Sequence, residues 1–122
     1  MTYNYCVKEI IIKTTPAFDK QANKSMADDA QEDLYDFLLE NPTAGALIQG
    51  TGGIRKLRWK TGIGTRGKSG GVRVLYHYSK NLLIILVTLY TKNEKENISQ
   101  KEKNQLKKLM PKLIEKYLEE ME

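Results

Sequence analysis

The chain has 122 residues, with 20 Lys and Arg against 15 Asp and Glu and a formal net charge of +5. This length favours one domain over residues 1–122 and leaves no room for a second. Cys6 is the only cysteine, which excludes a disulfide framework or multi-cysteine metal site and favours a reducing compartment. The apolar run Leu82–Tyr90 is far shorter than the ~20 residues of a membrane-spanning helix. With no secretion signal, a cytoplasmic protein without a membrane partner is expected.

The positive charge is concentrated in the middle of the chain. Between Asn41 and Asn93 there are nine basic residues and no acidic ones. A segregated positive field attracts polyanions and can bind them by counterion release. RNA or DNA is therefore the first partner to consider, and the alternative is a solvated basic face without a ligand.

The N-terminal third predicts one strand and two helices. Tyr3–Lys13 is rich in Val, Ile and Tyr, as is typical of a strand. Thr14 or Thr15 before Pro16 provides an N-cap and a first-turn proline for a short helix. Apolar side chains recur at helical spacing over Ser25–Glu40, which predicts an amphipathic helix with an acidic outer face.

The rest of the chain predicts three strands and a final helix. The strands are Ile54–Lys60, Val72–Ser79 and Leu82–Tyr90, the last two forming an antiparallel hairpin. Ser99 and Glu102 form a capping box that begins the last helix, which Pro111 should kink. Its apolar stripe contains Leu106, Leu109, Met110, Leu113, Tyr117, Leu118 and Met121. The order predicts an α+β fold with the helices on one face of a twisted, mainly antiparallel sheet.

The segment Gly62–Ser69, GIGTRGKS, matches the spacing of a phosphate-binding P-loop. That motif requires a helix after the loop, because the helix N-terminus holds the phosphates. Here the next residues are GGVRVLYHY, which predict a strand. No Asp or Glu lies between Glu40 and Glu94 to help hold Mg²⁺. A nucleotide hydrolase is therefore disfavoured, and a basic loop remains.

Candidate site residues come from the strands. Side chains alternate across a strand, so Lys56, Arg58 and Lys60 should share a cationic face opposite a buried apolar one. Arg73 lies within an apolar run, which is typical of a charged residue on an open face or in a cleft. The third predicted strand ends with Tyr90, Thr91, Lys92 and Asn93. Together these side chains could line a site for a phosphodiester backbone.

Such a site suits RNA cleavage without a metal or cofactor. The 2′-hydroxyl would attack the adjacent phosphorus while arginines stabilise the phosphoryl charge. Like-charge repulsion favours the neutral amine of a crowded lysine, so Lys56 or Lys92 could act as base. Tyr90 or Tyr76 could hold or relay a proton. His77 is a candidate acid or base by residue type, but a histidine on a strand more often packs against its neighbours or faces solvent than takes part in catalysis.

The central region resembles a known family. The matching segments are GTGGIRKLRWKTGIGTRGKSGGVRVLYHY and LLIILVTLYTKNEKENIS. They resemble the RelE/HigB group of bacterial type II toxins and are most similar to its HigB-type branch. The similarity covers roughly residues 41–105, and the flanking helices agree by order only. It implies a small RelE-like domain that enters the ribosomal A site of the 70S ribosome, cuts mRNA there and is inhibited by a cognate antitoxin.

The resemblance also implies roles for individual residues. Lys56, Arg58 and Arg73 match basic residues that bind and activate the scissile phosphate, and Lys92 and Asn93 match another functional pair. RelE's C-terminal catalytic tyrosine has no counterpart here, so the general base stays open. The predicted catalytic residues are Lys56, Arg58, Arg73, Tyr90 and Lys92. The predicted RNA-binding residues are Arg55, Lys60, Arg66, Lys68 and Asn93.

Two further functions fit the same charge pattern. One is a nucleic-acid-binding module without catalysis, and the other is an interaction protein whose basic face serves only an acidic partner such as the antitoxin. Discrete mRNA cuts on induced expression would separate the enzyme from both.

Overall fold

The structure, a computed structural model, describes residues 9–63, 71–79 and 82–121. Its elements are β1 (Ile11–Thr14), α1 (Pro16–Ser25), α2 (Asp28–Glu40), β2 (Ala46–Leu47), β3 (Ile54–Trp59), β4 (Val72–Ser79), β5 (Leu83–Thr91) and α3 (Gln100–Glu120). The predicted α+β fold with two N-terminal helices and a C-terminal helix is confirmed.

The five strands form one mixed sheet in the order β1-β5-β4-β3-β2. β5 pairs in parallel with β1, and all the other pairs are antiparallel. β5 is therefore an inner strand, and its segment Leu83–Val87 is buried throughout. An inner strand that is apolar on both sides must be covered on both faces. This corrects the expectation that the helices share one face, because α3 lies on the side opposite α1 and α2.

Thr15 anchors the layer formed by α1 and α2. Its hydroxyl caps α1 by accepting from the backbone N–H of Phe18 at 3.0 Å and donates to the carbonyl of Val87 in β5 at 2.6 Å. Phe18 is fully buried in this layer. In α2, the carbonyl of Ala30 accepts from the indole N–H of Trp59 at 3.0 Å. Both helices are thus fixed to the sheet by polar contacts as well as apolar packing.

α2 is shorter than predicted. It begins at Asp28 instead of Ser25 because Met26 and Ala27 are extended. The N–H of Ala27 donates to the carbonyl of Thr61, in the segment after β3, at 2.8 Å. Residues 9–13 of the predicted first strand Tyr3–Lys13 are described, and residues 1–8 lie outside the described part. The strand β1 begins at Ile11 and extends one residue further than predicted, to Thr14.

α3 covers part of the opposite face. Its predicted capping box is confirmed: Ser99 accepts from the N–H of Glu102 while the carboxylate of Glu102 accepts from that of Ser99. The helix continues as one element through Pro111. Met110 and Tyr117 are buried in it, and the Tyr117 hydroxyl donates to the carbonyl of Thr14 at 3.1 Å. Most of its apolar stripe is therefore core of this chain.

The glycine-rich segment before β3 is a structural turn. The Thr51 hydroxyl donates to the carbonyl of Ile48 at 2.7 Å and accepts from the N–H of Ile54 at 3.0 Å, and its side chain is buried. Gly52 and Gly53 follow it with φ values of 76° and 99°, a region that disfavours other residues. This turn also fixes the short strand β2, which sequence patterning missed because its two residues are both exposed.

The P-loop interpretation fails because no helix comes after the motif. After Gly71 the chain enters the strand β4 at Val72, where a phosphate-binding loop would need a helix N-terminus. Residues 64–70 lie outside the described residues.

Tyr76 links β4 to the loop before β2. Its hydroxyl accepts from the N–H of Gly45 at 2.8 Å and donates to the carbonyl of Pro42 at 2.9 Å. Tyr76→Phe leaves both groups without this partner, so we expect a loss of about 2 kcal/mol in the free energy of unfolding. Urea denaturation measures it, with Tyr78→Phe at a half-buried position of the same strand as control. Equal stabilities of the two variants would contradict this role.

Candidate active site

The site is built on one row of side chains across three strands. Arg58 of β3 is directly opposite Arg73 of β4, which is directly opposite Tyr90 of β5. Residues in direct register point to the same face, with Cβ atoms about 4.5–5.5 Å apart. We call these three residues the cross-strand row. They lie on the face that carries α3, because Tyr90 packs in the same cluster as Met110.

α3 leaves this end of the face partly open. Ile54 of β3 and Leu75 of β4 are buried in the apolar cluster that also contains Met110 and Tyr117 of α3. Further along the same strands, Arg73 is half-buried and Arg58 is exposed. Two like charges directly opposite each other destabilise a sheet. A pair of arginines in this position is therefore suited to an anion placed between or above them.

Lys56 extends the cationic surface along β3. It pairs with Leu75, two residues from Arg58 on the same face. Its ammonium donates to the side-chain oxygen of Asn97 at 3.1 Å. Asn97 belongs to the segment between β5 and α3, so this bond fixes the ammonium toward that segment.

Tyr90 is the buried member of the row. Its side chain is 3% exposed, and its hydroxyl has no hydrogen-bond partner within the described residues. Burial raises the pKa of Tyr90, the charge of Arg73 opposes that rise, and Glu102 adds to it. The hydroxyl is thus protonated at neutral pH and can donate a hydrogen bond. The ammonium of Lys95 lies 5.2 Å from the ring centroid, a distance typical of a cation–π contact.

Hydrogen bonds and an ion pair hold the segment after β5 in place. Thr91 and Glu94 exchange hydrogen bonds of 3.0 and 3.3 Å, forming a turn. Lys95 forms a hydrogen-bonded ion pair with Glu102. That bond, followed by the bond from the Ser99 backbone, holds the pKa of Glu102 below its usual range. This turn and the first residues of α3 therefore border the cross-strand row.

The structure brings together only some of the predicted site residues. On one face of the sheet lie Lys56, Arg58, Arg73 and Tyr90. Lys92 and Asn93 are exposed in the turn after Tyr90, at the same end of the sheet. Arg66 and Lys68 lie outside the described residues.

Arg55 and Lys60 are directed elsewhere. Arg55 lies on the opposite face of β3, where its guanidinium donates to the carbonyls of Gly45 at 2.8 Å and Thr43 at 3.3 Å. Lys60 follows the end of β3 and forms a 2.9 Å ion pair with Asp33 of α2. Neither is brought to the cross-strand row, and their predicted RNA contacts stay predictions.

The other acid-base candidates have structural contacts. Tyr76 is buried on the opposite face, where its hydroxyl has the two partners described above and burial raises its pKa. His77 places Nδ1 at 3.0 Å from the carbonyl of Gly53 in the turn before β3. Both residues therefore stabilise turns in this structure, and Tyr90 is the tyrosine that reaches the site.

A further lysine near the site was not found from sequence. Lys103, in the first turns of α3, lines a cavity of about 220 Å³ together with Lys56, Tyr90 and Asn97. Nothing in the sequence distinguishes Lys103 from the other lysines of this helix. Only the packing of α3 against the sheet identifies it.

The described residues contain neither a membrane-spanning helix nor a metal-binding cluster. Each helix among them is too short or too polar to cross a bilayer. Within the same residues, no three His, Cys, Asp or Glu side chains are grouped to hold a metal ion.

Comparison with known proteins gives concordant matches. A family model described as the RelE toxin of the RelE/RelB toxin–antitoxin system matches residues 12–122. The structure is similar to a mutant of E. coli toxin RelE in the free state, with a TM-score of 0.52 and 16% identity over 72% of this chain and 88% of that one. It also matches the intact E. coli RelBE toxin–antitoxin complex, with a TM-score of 0.48 and 16% identity over 66% of this chain and 93% of that one.

The family match covers more than the sequence resemblance did. It extends from β1 to the end of α3, whereas the resembling segments ended near residue 105. It does not separate the HigB-type branch, which stays a prediction. The matched region contains all of the described sheet except Ile11, and it contains the cross-strand row. The chain belongs to the RelE toxin family.

Proposed function

We propose that this chain is the toxin of a toxin–antitoxin pair and a metal-independent endoribonuclease that cuts mRNA in the ribosomal A site. The observation that carries the proposal is the cross-strand row. It places Arg58 directly opposite Arg73, and Arg73 directly opposite the protonated phenol of Tyr90, on a face of the sheet that α3 leaves partly open at the two arginines. Guanidinium groups match phosphate oxygens in geometry and charge. Family membership supports the choice of RNA as substrate.

The proposed reaction is an internal phosphoryl transfer. The 2′-oxygen bonds to phosphorus as the bond to the 5′-oxygen breaks, which leaves a cyclic phosphate and a 5′-hydroxyl. Arg58 and Arg73 stabilise the charge that develops on the phosphoryl oxygens. Tyr90 donates a proton to the leaving oxygen, and Lys92, in the turn after Tyr90, is the candidate base for the 2′-hydroxyl proton. This scheme needs the leaving oxygen to reach the Tyr90 hydroxyl.

We propose that the ribosome orients the RNA for cleavage. The row can bind a phosphate, but the described face offers little that would align the 2′-hydroxyl with the scissile bond. Misplacement by ~1 Å can reduce a rate about 10²-fold. We therefore expect weak cleavage of naked RNA and rapid cleavage in translating complexes.

One observation favours a second function. The Tyr90 hydroxyl is enclosed in this structure, with Ile98 buried near it in the same cluster. If Ile98 stays in place, the row can bind RNA without donating a proton. A noncatalytic nucleic-acid-binding or antitoxin-binding module would then result.

The proposed antitoxin contact is the basic face. Acidic side chains of a partner could occupy the positions of RNA phosphates near Lys56, Arg58 and Arg73. The apolar stripe of α3 is a poorer candidate, since Met110 and Tyr117 are already buried in this chain. Among the described residues of the stripe, Leu109 is classed as exposed, with 42% of its surface accessible.

Induced expression with mapping of mRNA ends tests the proposal. We expect growth arrest and discrete in-frame cuts, both relieved by coexpression of the neighbouring small open reading frame. In purified translating complexes cleavage should exceed that of naked RNA by at least about 10²-fold. Equal rates on both substrates would remove the ribosome requirement. Intact transcripts during growth arrest would favour the noncatalytic module.

A further inference from the structure

A cavity beside the cross-strand row has the character of an anion site. It is lined by Ile48, Lys56, Tyr90, Asn97, Ile98 and Lys103, and its volume is about 220 Å³. A water molecule occupies about 30 Å³ of liquid, so a phosphate group with part of its hydration fits. The lining contains two lysines and no carboxylate.

Neither lysine is neutralised within the described residues. The ion pairs Lys13–Glu120, Lys60–Asp33 and Lys95–Glu102 involve neither of them. Lys56 contacts a neutral amide instead, the side chain of Asn97. Two ammonium groups facing one cavity repel each other, and a bound anion would turn that repulsion into attraction.

The Tyr90 side chain borders this cavity. Its hydroxyl is buried without a partner within the described residues, and in the proposed reaction it serves the leaving oxygen at the cross-strand row. The anion in the cavity is therefore held by the two lysines.

We propose that this cavity binds a second phosphate of RNA, adjacent to the one at the cross-strand row, and that Lys103 and Lys56 hold it. Asn97 is a positioning residue, because its side-chain oxygen directs the Lys56 ammonium. Lys56 lies two residues from Arg58, about 7 Å along the strand. A phosphate in the cavity is therefore distinct from the scissile phosphate. The identity of the ligand as RNA rests on the proposed function, whereas the anion site itself does not.

The first test uses inorganic phosphate and the full chain. Titration followed by NMR should shift the amide resonances of Asn97, Ile98 and Lys103. Lys103→Ala should weaken this binding about tenfold. Lys108→Ala, an exposed lysine on the same helix that does not line the cavity, should leave it unchanged. Absence of the shifts in the wild-type protein, or equal weakening by both variants, would overturn the site.

The second test uses a short single-stranded RNA with a 2′-deoxy group at the cleavage position. Each phosphate neutralised on single strands contributes about 0.7 to the salt dependence of binding. Lys103→Ala should reduce the slope by about that amount, and Lys108→Ala should not. If inorganic phosphate binds in the cavity but RNA leaves those resonances and the slope unchanged, the ligand is not RNA and the proposal fails.

The positioning role of Asn97 is tested by replacing it with aspartate and with alanine. Asn97→Asp puts a carboxylate beside Lys56 that competes with the anion, whereas Asn97→Ala only releases the ammonium. We expect phosphate affinity to fall in the order wild type, Asn97→Ala, Asn97→Asp, an order that a merely structural role would not produce. Equal affinities would remove Asn97 from the site.

These results separate the site from the nuclease. Wild-type protein that binds phosphate and RNA in the cavity but cuts no mRNA would refute the proposed catalysis and support the site. Wild-type protein that cuts mRNA while phosphate and RNA leave the cavity resonances unchanged would support the nuclease and refute the site.

Discussion

Replacing Arg73 by alanine is expected to reduce the rate of mRNA cleavage by about 10²- to 10³-fold. Arg73 lies at the centre of the cross-strand row, directly opposite both Arg58 and Tyr90. Its position on the inner strand β4 fixes its backbone without the entropy cost of ordering a loop. The loss should fall on the single-turnover rate in ribosomal complexes, and binding of RNA should weaken far less.

Two further variants sharpen this test. Arg73→Lys keeps the charge but loses the planar, two-pronged donor geometry, so it should recover only part of the rate. Lys20→Ala removes an exposed charge from α1, in the layer on the other side of the sheet, and should cleave like the wild type. Cleavage by Arg73→Ala within threefold of the wild type would place the reacting centre elsewhere.

Strand alternation explains how much of this site the sequence could predict. It assigned Lys56 and Arg58 to one face, and the register of β3 confirms this. The same rule places Arg55 on the other face, where the structure has it bonded to the loop before β2. Alternation is a local property of the chain, so these assignments needed no knowledge of the packing.

The alternation rule did not predict the position of the Lys60 side chain, because β3 ends at Trp59. The carbonyl of Thr61 accepts from the N–H of Ala27, and Gly62 approaches the methyl groups of Ala27 and Ala30. These contacts draw the chain toward α2, so Lys60 pairs with Asp33. The end of this strand is set by long-range contacts, which a local pattern does not contain.

The helix layers and the cavity also depended on long-range packing. The stripe of α3 predicted that one side would be buried, but not which face of the sheet it would cover. The continuously apolar segment Leu83–Val87 of β5 was a usable signal, since an inner strand needs cover on both faces. Lys103 and Asn97 gave no such signal, because their roles depend on how α3 and the preceding segment pack beside Tyr90.

Tyr90 allows stability and function to be separated, because its hydroxyl has a buried position and no protein partner within the described residues. A structural tyrosine behaves differently: Tyr117, in the same cluster, donates to the carbonyl of Thr14. Removing a bonded hydroxyl costs stability, whereas removing an unpaired buried one relieves a penalty. Replacement by phenylalanine should therefore raise the free energy of unfolding at Tyr90 and lower it at Tyr117.

Tyr90→Phe is expected to raise the free energy of unfolding by about 1 kcal/mol and Tm by about 4 °C, and to slow cleavage about 10²-fold through loss of the proton donor. Tyr117→Phe should lose about 1 kcal/mol and cleave normally. Denaturation and single-turnover cleavage of the two purified variants measure both effects. A Tyr90→Phe protein that is more stable and fully active would show that the hydroxyl serves neither the fold nor the reaction. Proton donation would then have to come from the ribosome or from another side chain of the basic face.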